Sequence, residues 1–189
     1  KEKIDKENIQ ILIPIHKHEI EILSNEKEEG DNSGLHIIIS NPDTIKETND
    51  KYLFALKLKQ AGICTPGTYT IDDLFSMKDS LTGKYLVKPV NGVSSRDIEM
   101  FTSFSDLLKI ANSKKNKQDY IVQQFIQGTE FTVDVFVKNK KSYAIVPRIR
   151  EEVRDGLCYK AATIRNEIFV DCIQQILLLF DFYGPINIQ

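Results

Sequence analysis

The stretch YIVQQFIQGTEFTVDVFVK (Tyr120–Lys138) decides how this chain is built. Tyr120 to Phe125 is a short apolar run suited to a strand, and Gly128 marks a turn. From Phe131 to Lys138 the residues alternate well enough for a half-buried strand. Asn139, Lys140, Lys141 and Ser142 then turn the chain into another strand, Tyr143 to Arg150. An antiparallel ribbon of this kind packs one side on a core and leaves the other available. Glu130 stands as an isolated acid at the turn, where it can accept hydrogen bonds from ribose hydroxyls, while the strand-end backbone can read an adenine edge. A solvated turn glutamate fits the same pattern.

Upstream, Tyr85 to Pro89 reads as a strand that its proline ends. The loop Val90 to Asp97 follows, carrying Asn91, Gly92, Ser94, Ser95 and Arg96. A lysine at the end of such a strand, Lys88, suits phosphate: backbone N–H groups and hydroxyls cradle oxygens while the ammonium neutralises charge. One glycine and two serines also form many ordinary turns. Ile98 to Phe101 reads as a strand, and Ser105 to Ala111 as a helix that Ser105 caps. Farther upstream a helix is predicted from Thr44 to Ala61, with Gly62 ending it, then a short strand after Thr65-Pro66-Gly67-Thr68 and a helix from Ile71 to Ser76.

The chain opens with two apolar, β-branched runs, Ile9 to Ile15 and Leu35 to Ile39, joined by a helix candidate from Glu19 to Glu28 and a break at Asp31 to Gly34. These are read as two buried parallel strands with a right-handed crossover. Two strands do not make a stable sheet alone, so the chain is expected to begin inside a domain. At the other end, Phe169 to Phe182 reads as an apolar helix, Tyr183-Gly184-Pro185 closes it, and Ile186 to Gln189 opens a strand. The fold class is mixed α/β.

Composition narrows the function. The chain has 189 residues, with 25 basic against 27 acidic side chains, so nucleic acid gains no global electrostatic help. No apolar run approaches the ~20 residues of a membrane span, and no secretory segment follows the charged start. Cys64, Cys158 and Cys172 form no CxxC pair and read as reduced thiols of a cytoplasmic protein. His16, His18 and His36 all lie in the early region, so no Ser–His–acid or Cys–His arrangement is in view. Arg148, Arg150, Arg154 and Lys160 form a cationic cluster able to hold phosphate or a carboxylate, or else a surface ion-pair network with Glu151, Glu152 and Asp155.

Order and spacing add a resemblance. NDKYLFALKLKQAGICTPGTYT (Asn49–Thr70), YLVKPVNGVSSRDIEMF (Tyr85–Phe101), YIVQQFIQGTEFTVDVF (Tyr120–Phe136), PRIREEVRDG (Pro147–Gly156) and GPINIQ (Gly184–Gln189) follow one another as in a known family. The chain resembles an ATP-grasp protein of the kind found in the large subunit of carbamoyl phosphate synthetase. The resemblance implies two α+β nucleotide-binding lobes, 46–118 and 119–189, preceded in 1–45 by part of a Rossmann-like pre-ATP-grasp domain. It implies a carboxylate–amine or carboxylate–thiol ligase that binds ATP and magnesium (manganese substituting) and a small carboxylate, passing through an acylphosphate. The alternative is a nucleotide-binding module that is regulatory or degenerate. No nucleic-acid or membrane partner is implied, and a homodimer is allowed.

Residue by residue, Lys88 and Lys51 look like the cations on the nucleotide, and Asn91 to Arg96 like the loop that closes over the phosphates. Gln123, Gln124, Phe125 and Ile126 match the adenine-reading hinge, and Glu130 the ribose-binding acid. Arg148 and Lys160 fall at substrate or phosphate contacts. Gln189 matches the first of three metal-ligand positions, and the other two lie after the strand that it opens, so this chain alone is expected to lack catalysis. The loop departs from the family pattern GxGSRG at Val93 and Asp97.

Overall fold

The computed structural model describes residues 2–76, 81–92, 97–154 and 156–189. It divides into two compact units, one of Lys1–Lys46, Glu130–Glu151 and Ala161–Gln189, the other of Glu47–Thr129 and Glu152–Lys160. The division expected at 45/46 and 118/119 groups the chain differently. In the structure 119–129 stays with 47–118, and the β ribbon and C-terminal helix are grouped with 1–46.

The unit of 47–129 is built on a four-stranded sheet ordered β3 (Thr68–Thr70), β6 (Tyr120–Gln124), β4 (Tyr85–Pro89) and β5 (Glu99–Phe101). All three neighbouring pairs are antiparallel. Alternation sends Tyr85, Val87, Val122 and Phe101 to one face, where they join Ile71 and Leu74 of α6 (Ile71–Ser76) and Leu107 and Ala111 of α7 (Phe104–Ser113) in one core. Each fully buried Leu, Ile or Val there contributes about 1.5–3 kcal/mol. Leu86, Lys88 and Gln123 alternate to the opposite face.

The helix predicted over 44–61 is two, α4 (Pro42–Asn49) and α5 (Lys51–Gln60). Asp50 interrupts the run because its extended backbone and carboxylate suit a cap: Oδ1 accepts from the amides of Tyr52 and Leu53, both at 2.9 Å. Gly62, at φ 73°, ends α5 as expected. Helix α7 starts earlier than predicted, capped by Ser103 rather than Ser105. Ser103 has the extended backbone that a cap needs, and its hydroxyl accepts from the Asp106 amide at 3.2 Å.

In the other unit β1 (Ile11–Leu12) pairs parallel with β2 (His36–Ile37), as the crossover reading requires. Between them lie α2 (Lys17–Asn25) and α3 (Lys27–Asn32), two helices where one was expected; a short helix α1 (Glu2–Lys6) precedes β1. The first strand is not buried: Ile11, Ile13 and Ile15 are 60%, 52% and 88% exposed, whereas Ile37 and Ile39 are buried. Among the described residues β1 pairs with one neighbour only. The Lys27 ammonium donates to the Ile39 carbonyl at 2.7 Å and lies 4.2 Å from the Tyr183 ring centroid. Burial makes that ammonium easier to deprotonate than usual, against the pull of Asp31 and Asp181. The Tyr183 amide donates to Ser40 Oγ at 3.0 Å, a second tie between 1–46 and the C-terminal segment.

The second sheet is ordered β10 (Gly184–Ile188), β7 (Phe131–Lys138), β8 (Lys141–Arg154) and β9 (Leu157–Thr163). Asn139 and Lys140, at φ 52° and 58°, form the two-residue mirror-image turn between β7 and β8. Strand β8 outruns its predicted end at Arg150, and β9 follows it unpredicted. Helix α8 (Glu167–Leu177) stops short of Phe182, leaving Phe180 and Phe182 buried on the connection to β10. Among the described residues no helix is long and apolar enough to cross a membrane. The architecture is mixed α/β with antiparallel sheets.

Candidate functional site

The site residues fall into two groups, one in each unit. In the unit of 47–129, Lys88 sits near the end of β4, where the loop begins. Its Nζ donates to Gln123 Oε1 at 2.6 Å, and Gln123 Nε2 donates to Thr68 Oγ1 at 2.8 Å. Burial alone makes the Lys88 ammonium easier to deprotonate than an ordinary lysine. Its hydrogen-bond acceptor is the neutral Gln123 amide, and among the described residues no carboxylate contributes to its titration.

Lys51 opens α5, and its ammonium donates to the carbonyls of Pro89, Val90 and Gly92 at 3.2, 3.1 and 3.2 Å. Its amide also donates to Val90 C=O at 3.2 Å. The lysine matched to a nucleotide contact therefore binds the stem of the 90–97 loop. Asn91 and Gly92 are exposed at that stem. Val93, Ser94, Ser95 and Arg96, the remainder of the predicted phosphate loop, lie outside the described residues, as does Asp155. Asp97, which closes the loop, takes φ 61°, a left-handed conformation that suits glycine best.

Two amides of the predicted hinge already have partners: Gln124 donates to Gly67 C=O at 2.8 Å and Phe125 to Lys84 C=O at 2.9 Å. Ile126 is exposed. The Gln123 side chain is committed to Lys88 and Thr68.

In the other unit Arg150 gathers two predicted residues. Its Nη1 donates to Glu130 Oε2 at 3.0 Å and to Gln189 Oε1 at 3.3 Å, and its amide donates to Glu130 C=O at 3.1 Å. The arginine side chain is 6% exposed and the glutamate 69%, so Arg150 is the fixed member and Glu130 reaches outward. Arg148 forms a two-point pair with Asp134, Nε to Oδ2 at 2.5 Å and Nη2 to Oδ1 at 3.1 Å. Asn187 Nδ2 also donates to Asp134 Oδ1, at 2.7 Å. Lys160, exposed on β9, is grouped instead with the unit of 47–129.

Gln189, matched to a metal-ligand position, has its side-chain oxygen on Arg150. One neutral amide oxygen beside a guanidinium lacks the carboxylates that magnesium prefers. Among the described residues no cluster of three His, Cys, Asp or Glu side chains is arranged to hold a metal.

Sequence reasoning passed over Thr68, Asp134, Arg150's bridging role and Asn187. Asp134 carried a signal, since an acid interrupting FTVDVFV on a valine-rich strand needs a partner. Thr68 carried none, because its link to Gln123 depends on strand register across 55 residues of sequence.

Comparison with known proteins gives the family and the fold. Residues 48–177 match the ATP-grasp domain family. No curated protein matches the chain. Among solved structures it is similar to the biotin carboxylase domain of the Hydrogenobacter thermophilus 2-oxoglutarate carboxylase, crystallised with MgADP, ADP and bicarbonate, at TM-score 0.75 and 12% identity over 98% of this chain and 46% of that one. D-alanine–D-alanine ligase from Bacillus anthracis follows at TM-score 0.69 and 17% identity, over 99% and 67% of the two chains. An L-amino acid ligase from Bacillus licheniformis has TM-score 0.66 and 16% identity, over 98% and 46%. The chain thus spans about half the length of the first and third of these proteins. Identities this low establish the shared fold alone; the family match at 48–177, which covers well over half of the chain, establishes that it belongs to the ATP-grasp family.

Proposed function

We propose that this chain is the ATP-binding part of an ATP-dependent ligase of the carbamoyl phosphate synthetase-like type, joining a carboxylate to an amine or thiol through an acylphosphate. The observation that carries it is Lys88, a partly buried ammonium whose hydrogen-bond acceptor is a neutral amide. A desolvated cation without a compensating carboxylate is stabilised when an anion binds beside it. The solved structures that share the fold include one holding MgADP and two ligases by name.

In this reading a carboxylate oxygen of the substrate attacks the γ-phosphorus of ATP, and the bond to the β-phosphate oxygen breaks to release ADP. The amine or thiol then displaces phosphate from the acylphosphate and loses its proton. Lys88 neutralises phosphate charge. Lys51 shapes the loop stem, Asn91 and Gly92 offer polar and backbone groups to the phosphates, and Glu130 takes the ribose hydroxyls. The hinge from Gln124 to Ile126 meets the base. Arg148, aimed by Asp134, and Lys160 contact substrate or phosphate. Gln189 would supply one oxygen toward magnesium, which, when bound, would draw charge from the phosphates. Positioning and electrostatics suffice for such chemistry, with no nucleophilic side chain. The reading places the protein in the cytoplasm and is compatible with a homodimer.

Calorimetric titration with MgATP tests it. Lys88→Met is expected to weaken binding by about 10–100-fold, the effect of losing a hydrogen bond to a charged group. Unchanged affinity in that variant would end the proposal. Asp97 favours a second reading, nucleotide binding without ligase chemistry, because it places a negative charge where the family pattern has glycine. Release of ADP by the complete protein that depends on an added carboxylic acid would exclude this second reading.

A further inference from the structure

Lys88, Gln123 and Thr68 form one row across three adjacent strands, β4, β6 and β3. Gln123 stands directly opposite both Thr68 and Leu86. Lys88 is two residues along β4 from Leu86, so it meets Gln123 diagonally. The direction of the row is set at its far end. The Thr68 hydroxyl donates its single proton to Pro66 C=O at 2.9 Å, so its oxygen is left to accept. Gln123 must therefore present its NH2 to Thr68 and its Oε1 to Lys88, the arrangement found at 2.8 and 2.6 Å. Reversing the amide would place two donors against the ammonium and two acceptors against each other.

We infer that Thr68 and Gln123 are positioning residues of the proposed nucleotide site: a neutral relay that aims the Lys88 ammonium without cancelling its charge. The inference rests on the ATP-binding reading and adds a role that the hinge comparison did not give Gln123. Among the described residues the groups beside the ammonium on β6 and β3 are the neutral Gln123 and Thr68, and no carboxylate contributes to its titration. A carboxylate at position 123 would form an ion pair with Lys88 and compete with phosphate. The glutamine supplies direction alone.

The test is a series of MgATP titrations across the alkaline range with wild type, Lys88→Met, Thr68→Val, Thr68→Ser and Gln123→Met, each checked for an unchanged thermal melt. The ammonium is the form that binds phosphate, so affinity falls as pH rises through the Lys88 pKa, which lies below the ordinary lysine value. Loss of the acceptor disfavours the charged form further. Thr68→Val and Gln123→Met are thus expected to weaken binding about 3–10-fold, in line with one neutral hydrogen bond, and to shift the pH midpoint downward. Thr68→Ser should behave as wild type. Two outcomes overturn the inference, and they are distinguishable. If Lys88→Met binds ATP like wild type, the nucleotide reading fails and the relay with it. If Lys88→Met loses binding while Thr68→Val and Gln123→Met keep both affinity and pH midpoint, the relay alone fails.

Discussion

Asp97 holds φ 61° where a side chain beyond Cα is costly, and aspartate is among the few residues other than glycine that tolerate it. The glycine of the family pattern would sit there without strain, though it would lose more freedom on folding. Asp97→Gly is therefore expected to leave the melting temperature nearly unchanged. Asp97→Val, with a branched side chain in the left-handed region, is expected to cost about 1–2 kcal/mol. Equal melting curves for all three proteins would mean that residue 97 does not hold this conformation in solution. Lys88 gives a second residue-scale prediction, with the opposite sign to its effect on ATP. Its folded-state pKa is depressed, so between that value and the ordinary lysine value the unfolded chain binds more protons than the folded one. Stability contributed by this group then rises with pH across that window. Urea unfolding of wild type and Lys88→Met should converge toward high pH; parallel curves would show that Lys88 is not desolvated.

At the scale of elements, Asp50 joins a helix cap to a functional position. It caps α5, whose first residue, Lys51, binds the stem of the 90–97 loop through its ammonium and its amide. Asp50→Ala should cost about 1 kcal/mol by loss of the cap and loosen Lys51, giving faster hydrogen exchange at the Tyr52 and Leu53 amides. Unchanged exchange there would remove the cap from the account. The same helix shows what the sequence could convey. The apolar spacing runs past Asp50 without a break, so periodicity joins α4 to α5, and only the extended backbone at Asp50 separates them. Strands β4 and β7 and helix α6 were legible to the residue, because proline, glycine and alternation act locally. Ser103 and Ser105 are equal as caps on composition, and backbone geometry chooses between them. Strand β9, LCYKAAT, alternates too weakly to be read and forms because β8 offers it an edge. In the site, Lys88 was legible from its strand-to-loop position. The contacts of Thr68, Asp134 and Asn187 were not, since they follow from register between strands far apart in sequence.

For the whole molecule, each unit has its own buried side chains. Ile71, Leu74, Val87, Leu107 and Val122 are central to one, and Ile37, Val133, Val135, Ile173 and Phe180 are buried in the other. What binds residues 1–46 into the second of these is a close approach at Gly184, the first residue of β10. Its φ is 86°, and a Cβ there would stand 2.8 Å from Ile38 Cγ2 and 3.2 Å from the Ile38 carbonyl oxygen. Both the conformation and the space exclude a side chain, and the Ser40 and Lys27 contacts with Tyr183 lie beside it in sequence. Gly184→Ala is expected to cost about 2–3 kcal/mol through backbone strain and overpacking. If the two units hold their stability separately, hydrogen exchange will accelerate at Ile37, Val133 and Val135 and stay unchanged at Leu74, Val87 and Val122. An equal rise at both sets would show one cooperative body, and the division of the chain would then describe its contacts without describing how it unfolds.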